Sequence, residues 1–171
     1  EPCYLLLAYS RLKKDASAGL DEIDGTNMTL SGLRTLSKEL ISEKYKCAPV
    51  RRVFIDKPDG GKRPLGISSL KDKVVQKGIL MLLEPRFEKQ FRDCSHGFRP
   101  KKSCHTALKS LYSKGNGTRW FIELDLVKAF DRIHHGLLID EVRKEVKEQR
   151  MLDLIYKMLK VGYIDPHNLA N

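Results

Sequence analysis

Apolar side chains recur at two different spacings along this chain, and the change from one spacing to the other predicts the elements. From about residue 4 to 14, 29 to 44 and 70 to 83 they recur every three or four residues, which predicts helices. Ser103 is a candidate N-cap for a helix through Leu111, and two more helices are predicted at roughly 135–148 and 150–161. Pro85 is expected to end or kink the helix that contains it.

Three short segments are predicted to be strands. Residues 50–55 and 63–67 flank a turn of Lys-Pro-Asp-Gly-Gly-Lys at 57–62, which is typical of a β-hairpin. Gly115-Asn116-Gly117 predicts a turn before a third strand at 119–125. Residues 18–26 and 95–100 are predicted to be irregular, and residues 162–167 are loop-like with no closing element. The order of elements indicates a mixed α/β protein of the α+β kind.

The charge of the chain indicates what kind of partner it binds. The 171 residues carry a net charge of +10, with a pI near 9.5, which favours an anionic partner such as the backbone of a nucleic acid. Many of the cations cluster around the predicted hairpin, with only Asp56 and Asp59 among them: Lys44, Lys46, Arg51, Arg52, Lys57, Lys62 and Arg63. A solvated charged face is the alternative interpretation of such a run.

Cysteines and apolar runs give little further chemistry. Leu5-Leu6-Leu7 is too short to span a bilayer, so no membrane partner is expected. The four cysteines show no paired framework, which is typical of a reducing compartment. A zinc site is not favoured, because the spacing of its candidate ligands matches no common finger: Cys94, His96, Cys104 and His105.

The segment from Trp120 to Asp131 offers the clearest candidate chemistry. Asp125 ends the predicted strand, and Phe130 follows five residues later. A carboxylate on a rigid strand, beside free backbone carbonyls in a turn, suits Mg²⁺, which prefers hard oxygen ligands. The alternative is an ordinary strand-to-helix junction in which Asp125 caps the helix.

Several motifs occur in an order that identifies a family. The first runs from Arg51 to Ile67 and contains Lys57-Pro58-Asp59-Gly60-Gly61-Lys62-Arg63-Pro64. The others follow in this order: Lys71-Asp72-Lys73-Val74-Val75-Gln76, Glu84-Pro85, Ser95-His96-Gly97-Phe98-Arg99-Pro100 and the Asp125 segment. From about Ala8 to Ile164 the chain closely resembles the reverse transcriptases and maturases encoded by group II introns. The resemblance implies the fingers and partial palm of a right-hand polymerase. Residues 1–45 would form an N-terminal extension with helices, residues 46–118 the fingers, and residues 119–171 a truncated palm.

The resemblance also implies roles for individual residues. Asp125 would be the first catalytic aspartate, holding Mg²⁺ with the carbonyl of Leu126. Lys62 and Arg63 would face the triphosphate of the incoming nucleotide, and Phe130 would exclude a ribose 2′-hydroxyl. The clustered charge predicts that Arg51, Arg52 and Lys57 contact RNA. The resemblance implies a template path shaped by Gly97, Phe98, Arg99 and Pro100, with Arg99 as a further RNA contact. Core packing of Phe130, and anchoring of loop carbonyls by Arg99, are the structural alternatives.

The implied function is that of the RNA-binding N-terminal part of such a protein, acting in intron splicing and RNA-directed DNA synthesis when complete. The Tyr-x-Asp-Asp strand with the remaining catalytic aspartates is not among these residues, so the chain alone is expected to be inactive. A complementing polypeptide is therefore one expected partner, and a group II intron or other structured RNA is another. The alternative is a noncatalytic RNA-binding module in a large ribonucleoprotein such as a mitochondrial ribosome. The early loop and the closing segment resemble those of organellar members, which implies a mitochondrial location.

Overall fold

The helices and the hairpin that the sequence predicts are present in a computed structural model of the chain, which describes residues 1–12, 28–58 and 60–165. Its helices are α1 (Pro2–Ser10), α2 (Leu30–Ile41), α3 (Leu70–Phe87), α4 (Cys104–Gly115), α5 (Ala129–Arg132), α6 (His135–Glu145) and α7 (Gln149–Leu159). Its strands are β1 (Val50–Asp56), β2 (Lys62–Ile67) and β3 (Tyr163–Ile164). The predicted loop at 18–26 lies outside the described residues.

The helix predictions are confirmed in type and differ in length. Thr29 caps α2 by accepting a hydrogen bond from the Gly32 amide, and Ser103 caps α4 in a reciprocal capping box with Thr106. Helix α3 runs through Pro85 to Phe87, so Pro85 does not end this helix, and a kink at Pro85 stays a prediction. Within the described residues no helix is both long and apolar enough to cross a membrane.

The chain divides into two compact units, residues 1–82 with 148–171, and residues 83–147. The core of the first unit is formed by α1, α2, the segment after α2 and the first half of α3, through Leu5, Ala8, Leu33, Leu36, Tyr45, Val74 and Val75. Arg150 of α7 donates to the carbonyl of Ile41 over 2.7 Å and pairs with Glu43, also at 2.7 Å. These bonds satisfy a carbonyl that the end of α2 leaves open.

The sheet of the first unit has the strand order β2-β1-β3. Strands β1 and β2 pair antiparallel, with Arg51 opposite Ile67 and Asp56 opposite Lys62. Tyr163 and Ile164 pair in parallel with Val50 and Arg51. The prediction that this closing segment has no element was therefore wrong. Its strand pairs with residues more than a hundred positions away, and local composition does not report such a partner.

A buried carboxylate fixes the base of the hairpin to α3. Asp72, only 3% exposed, accepts hydrogen bonds from the Tyr45 hydroxyl, from the Ser69 hydroxyl at 2.8 Å and from the Ala48 amide at 3.1 Å. The Asp72 amide in turn donates to the Ser69 oxygen over 3.1 Å, which caps the start of α3. The segment that leads into β1 is thereby held against the first turn of this helix.

The second unit contains α4, α5 and α6 and the loops between them. Its predicted strand at 119–125 is wrong, because residues 118–126 form no regular element. A strand needs a neighbour to bond its amides and carbonyls, and no strand of the described residues pairs with this segment. Its apolar side chains are exposed, among them Trp120, Ile122 and Leu124.

The mixed α/β class is confirmed, with a small sheet and packed helices. The right-hand arrangement of fingers and palm, and the three-part division of the chain, stay predictions.

Candidate nucleic-acid interface

The tip of the hairpin is exposed and basic. The Lys57 amide donates to the Gly61 carbonyl over 2.8 Å, and the Gly60 amide donates back to the Lys57 carbonyl over 3.0 Å. Gly60 has a φ of +80°, a left-handed conformation that glycine adopts without a steric cost. The Lys57, Lys62 and Arg63 side chains are all exposed, so this tight turn presents three cations to solvent.

The pairing register divides the predicted cations between the two faces of the hairpin. Residues directly opposite on neighbouring strands share a face, as do alternate residues along one strand. Arg51 and Arg63 therefore lie on one face with Val53 and Leu65, and Arg52 and Lys62 lie on the other. A rigid phosphate backbone lying flat on one face would meet half of these cations, whereas one passing around the tip would meet Lys57, Lys62 and Arg63.

The two arginines at the base of the hairpin are half-buried. The guanidinium carbon of Arg52 lies 3.2 Å from the centroid of the Tyr163 ring, which is a cation–π contact. Arg51 also lies within the fold, and its Nε atom is buried. The stacking on Tyr163 was missed in the sequence, because it depends on the pairing of β3.

Arg99 is placed in the second unit, in the loop between α3 and α4. Its guanidinium is bidentate to Glu88, with the shortest contact at 2.8 Å, and donates to the carbonyls of Arg92 and Ser95 at 2.7 and 2.9 Å. Its side chain is only 8% exposed. These hydrogen bonds hold the pKa of Glu88 below its usual value. The geometry favours the structural alternative for Arg99, a loop anchor, and contact with RNA stays a prediction.

The Asp125 segment is solvent-exposed. Asp125 and Leu126 lie in the irregular stretch, and Phe130, 83% exposed, lies on the short helix α5. Lys128 caps this helix with a φ of 52°, so Asp125 is not its cap. Phe130 is not packed in a core, and its selecting role stays a prediction.

Donors for a metal do not come together within the described residues. No group of three or more His, Cys, Asp or Glu side chains there is placed to hold an ion. Asp125 with the Leu126 carbonyl does not make a Mg²⁺ site by itself, because Mg²⁺ needs further oxygen ligands. Of the zinc candidates, His96 bonds the Thr106 hydroxyl at 2.9 Å. His134 caps α6 by accepting a hydrogen bond from the Leu137 amide.

Comparison with known proteins gives the family. The model of the reverse transcriptase (RNA-dependent DNA polymerase) family matches residues 55–169, about two thirds of the chain. A COX1/OXI3 intron 1 protein of Saccharomyces cerevisiae is 42% identical over 166 residues, which cover 94% of this chain and 20% of that protein. The group II intron-encoded protein LtrA of Lactococcus lactis is 38% identical over 168 residues, 96% of this chain and 28% of that protein.

A third relative extends the likeness to maturases. Nuclear intron maturase 1, mitochondrial, of Arabidopsis thaliana is 37% identical over 89 residues, 52% of this chain and 12% of that protein. The chain thus spans 20% of the length of the yeast relative and 28% of the lactococcal one. It belongs to the reverse transcriptase family and is similar, over most of its length, to proteins encoded by group II introns.

Proposed function

We propose that this chain is an RNA-binding part of a group II intron-encoded reverse transcriptase and maturase, with the hairpin tip as its contact for phosphates. The observation that carries the proposal is the exposed triad of Lys57, Lys62 and Arg63 on a tight antiparallel turn. All three lie in the segment that matches the family. Three cations on one short turn can follow a backbone that carries regularly spaced negative charges.

The cations at the base have a different part in this proposal. Arg52 stacks on Tyr163, and Arg51 pairs with Ile164 in the sheet, so both help to hold the hairpin to β3. We therefore expect the tip to dominate the salt dependence of binding, and the base to dominate the stability of the hairpin.

The experiment is a salt series with a structured group II intron RNA. Each phosphate contact contributes about 0.7 to 0.9 to the slope of log affinity against log salt. Changing Lys57, Lys62 and Arg63 together to Ala should lower the slope by roughly two and weaken binding at every salt concentration. The matched control removes three exposed lysines outside the hairpin, Lys109, Lys114 and Lys147, and leaves the same net charge.

Two outcomes would contradict the proposal. One is an unchanged slope in the tip variant, and the other is an equal loss in the control, because general positive charge would then explain binding. If the tip binds RNA but no association with an intron is found, the noncatalytic module of a large ribonucleoprotein becomes the better interpretation.

Splicing and DNA synthesis belong to this proposal as activities of the complete protein. Asp125 is our candidate for the family's first metal-binding aspartate, with Leu126 beside it, and Phe130 for the ring that selects deoxynucleotides. In a polymerase assembled with a polypeptide that supplies the rest of the palm, Asp125→Ala should abolish primer extension. Phe130→Ala should instead let ribonucleotides be incorporated, measured as the ratio of kcat/KM for the two sugars. Activity that survives the loss of Asp125 would remove this assignment.

A mitochondrial location completes the proposal. It rests on two relatives: the yeast protein is named for an intron of COX1, and the name of the Arabidopsis maturase includes the word mitochondrial. Fractionation of cells that express a tagged protein would test it.

A further inference from the structure

The hairpin is packed against the rest of the first unit at its base and projects into solvent beyond it. Residues 50–53 are half-buried, whereas residues 54–58 and 60–66 are exposed. Two strands joined by a turn are only marginally stable without further packing. Contacts at the base therefore determine how firmly the outer part of the hairpin is held in one direction.

Three contacts along the start of β1 hold the base. The Ala48 amide donates to the carboxylate of Asp72 over 3.1 Å, and the Val50 amide donates to the Gly162 carbonyl over 3.0 Å. The third contact is the stacking of the Arg52 guanidinium on the Tyr163 ring of β3, at 3.2 Å from the centroid. Of these three contacts, the stacking of Arg52 lies furthest along β1 toward the tip.

The distance from this contact to the tip amplifies small rotations. Lys57 follows Arg52 by five residues, which corresponds to about 17 Å of strand. A tilt of about 20° at Arg52 would therefore move the tip by roughly 6 Å. A hydrogen bond to a phosphate oxygen needs a donor within about 3 Å, so such a tilt separates the tip cations from a bound backbone.

We propose that Tyr163 is a positioning residue for the hairpin tip, an inference that rests on the proposed function and adds a residue to it. The ring of Tyr163 holds Arg52, and Arg52 fixes the direction in which the tip cations face RNA. Without the ring, the hairpin samples other directions, and RNA binds only the fraction of molecules whose tip is in place. The bound state keeps the same phosphate contacts, so affinity falls while the salt slope stays constant.

The test measures affinity for a structured group II intron RNA in a salt series. Tyr163→Leu keeps an apolar side chain and removes the ring, and it should weaken binding by about 2- to 30-fold, the range of one cation–π contact, at an unchanged slope. Tyr163→Phe keeps the ring and should bind as the wild type does. Tyr156→Leu is the matched control, because Tyr156 is 42% exposed on α7 of the same unit and lies 5.5 Å from the Lys160 Nζ. Its affinity should equal that of the wild type.

A double-mutant cycle tests whether Tyr163 acts through Arg52. Arg52→Lys keeps the charge and removes the flat guanidinium, so it should weaken binding as Tyr163→Leu does and keep the slope. The double variant should bind no more weakly than the weaker of the two single variants, because both changes break the same contact. Fully additive losses, or an Arg52→Lys variant that binds as the wild type does, would overturn the inference. Either result would mean that Tyr163 affects RNA independently of Arg52.

Other outcomes separate positioning from folding and from direct contact. All affinities are measured well below the Tm of each variant, which circular dichroism gives. A lower Tm of Tyr163→Leu with unchanged affinity would identify the ring as a packing element only and overturn the inference. A lower salt slope in this variant would also overturn it, because the number of phosphate contacts would then have changed.

Failure of this inference is distinguishable from failure of the proposed function. An unchanged slope in the variant without the three tip cations contradicts the proposed function, whatever Tyr163→Leu does. If the tip variant behaves as expected and Tyr163→Leu binds as the wild type does, only the positioning role of Tyr163 is wrong.

Discussion

Removing the carboxylate of Asp72 should destabilise the first unit strongly. Asp72, Tyr45 and Ser69 are 3%, 4% and 3% exposed, so solvent water does not replace a lost partner. The carboxylate accepts from three donors, the Tyr45 and Ser69 hydroxyls and the Ala48 amide. In Asp72→Ala all three lose their acceptor.

The magnitude follows from these partners. A buried donor left without an acceptor costs about 1–3 kcal/mol. Three such donors with partial relaxation give an expected loss of about 3–5 kcal/mol in the free energy of unfolding, comparable to breaking a buried charged pair. Tyr45→Phe removes one donor and leaves the carboxylate two others, so it should cost about 1.5–3 kcal/mol.

Urea unfolding monitored by circular dichroism measures both losses, read as a shift in midpoint at constant slope. The matched control is Asp153→Ala, because Asp153 is an exposed aspartate on α7 of the same unit, and its change should stay within about 0.5 kcal/mol. A loss below about 1 kcal/mol for Asp72→Ala would refute the reasoning, since it would mean that these donors find water or other partners.

Three other predictions concern single contacts. Burial and the hydrogen bond to Asp72 raise the pKa of Tyr45, so the unfolded chain loses the Tyr45 proton first as the pH rises above about 10. The free energy of unfolding of the wild type should therefore fall, relative to that of Tyr45→Phe, by up to about 1.4 kcal/mol per pH unit. Urea titrations at alkaline pH measure this difference. A Cβ at Gly66 would lie 2.7 Å from Val50 Cγ1, so Gly66→Ala should lower the unfolding free energy by about 1–3 kcal/mol in the same urea assay. The pKa of Glu88 is lower in the folded chain than its unfolded value of about 4.3, because Glu88 bonds Arg99. These bonds are fully present above the unfolded pKa and are lost as the pH falls through the folded pKa. The Arg99 Nε resonance should therefore move in acid in the wild type and stay fixed in Glu88→Gln.

The parts of the fold that the sequence predicts are those whose causes are local. The hairpin follows from a turn of Pro, Asp and Gly between two apolar runs, and α4 follows from a Ser cap before an apolar repeat. The strand at 119–125 was predicted from its own composition, although strand formation depends on a neighbour. The same dependence hid β3, which exists because it pairs with β1.

The residues of the candidate interface were likewise predicted only where their causes are local. The positions of the tip cations follow from the turn, but their division between two faces depends on the register. The motif that contains Asp72 does not by itself indicate a role for this carboxylate. The spacing of Ser69 and Asp72, three residues apart before an apolar run, is the capping signal that could have drawn attention to it. No local signal indicates that Arg52 stacks on Tyr163.

Photocrosslinking is the most direct test of whether the hairpin tip contacts RNA. A group II intron RNA carrying 4-thiouridine would be crosslinked to the chain, and the modified peptides identified by mass spectrometry. Crosslinks should concentrate on residues 57–65 and should be lost in the variant without Lys57, Lys62 and Arg63. Crosslinks that leave the tip unmodified and persist in that variant would contradict RNA contact through the tip.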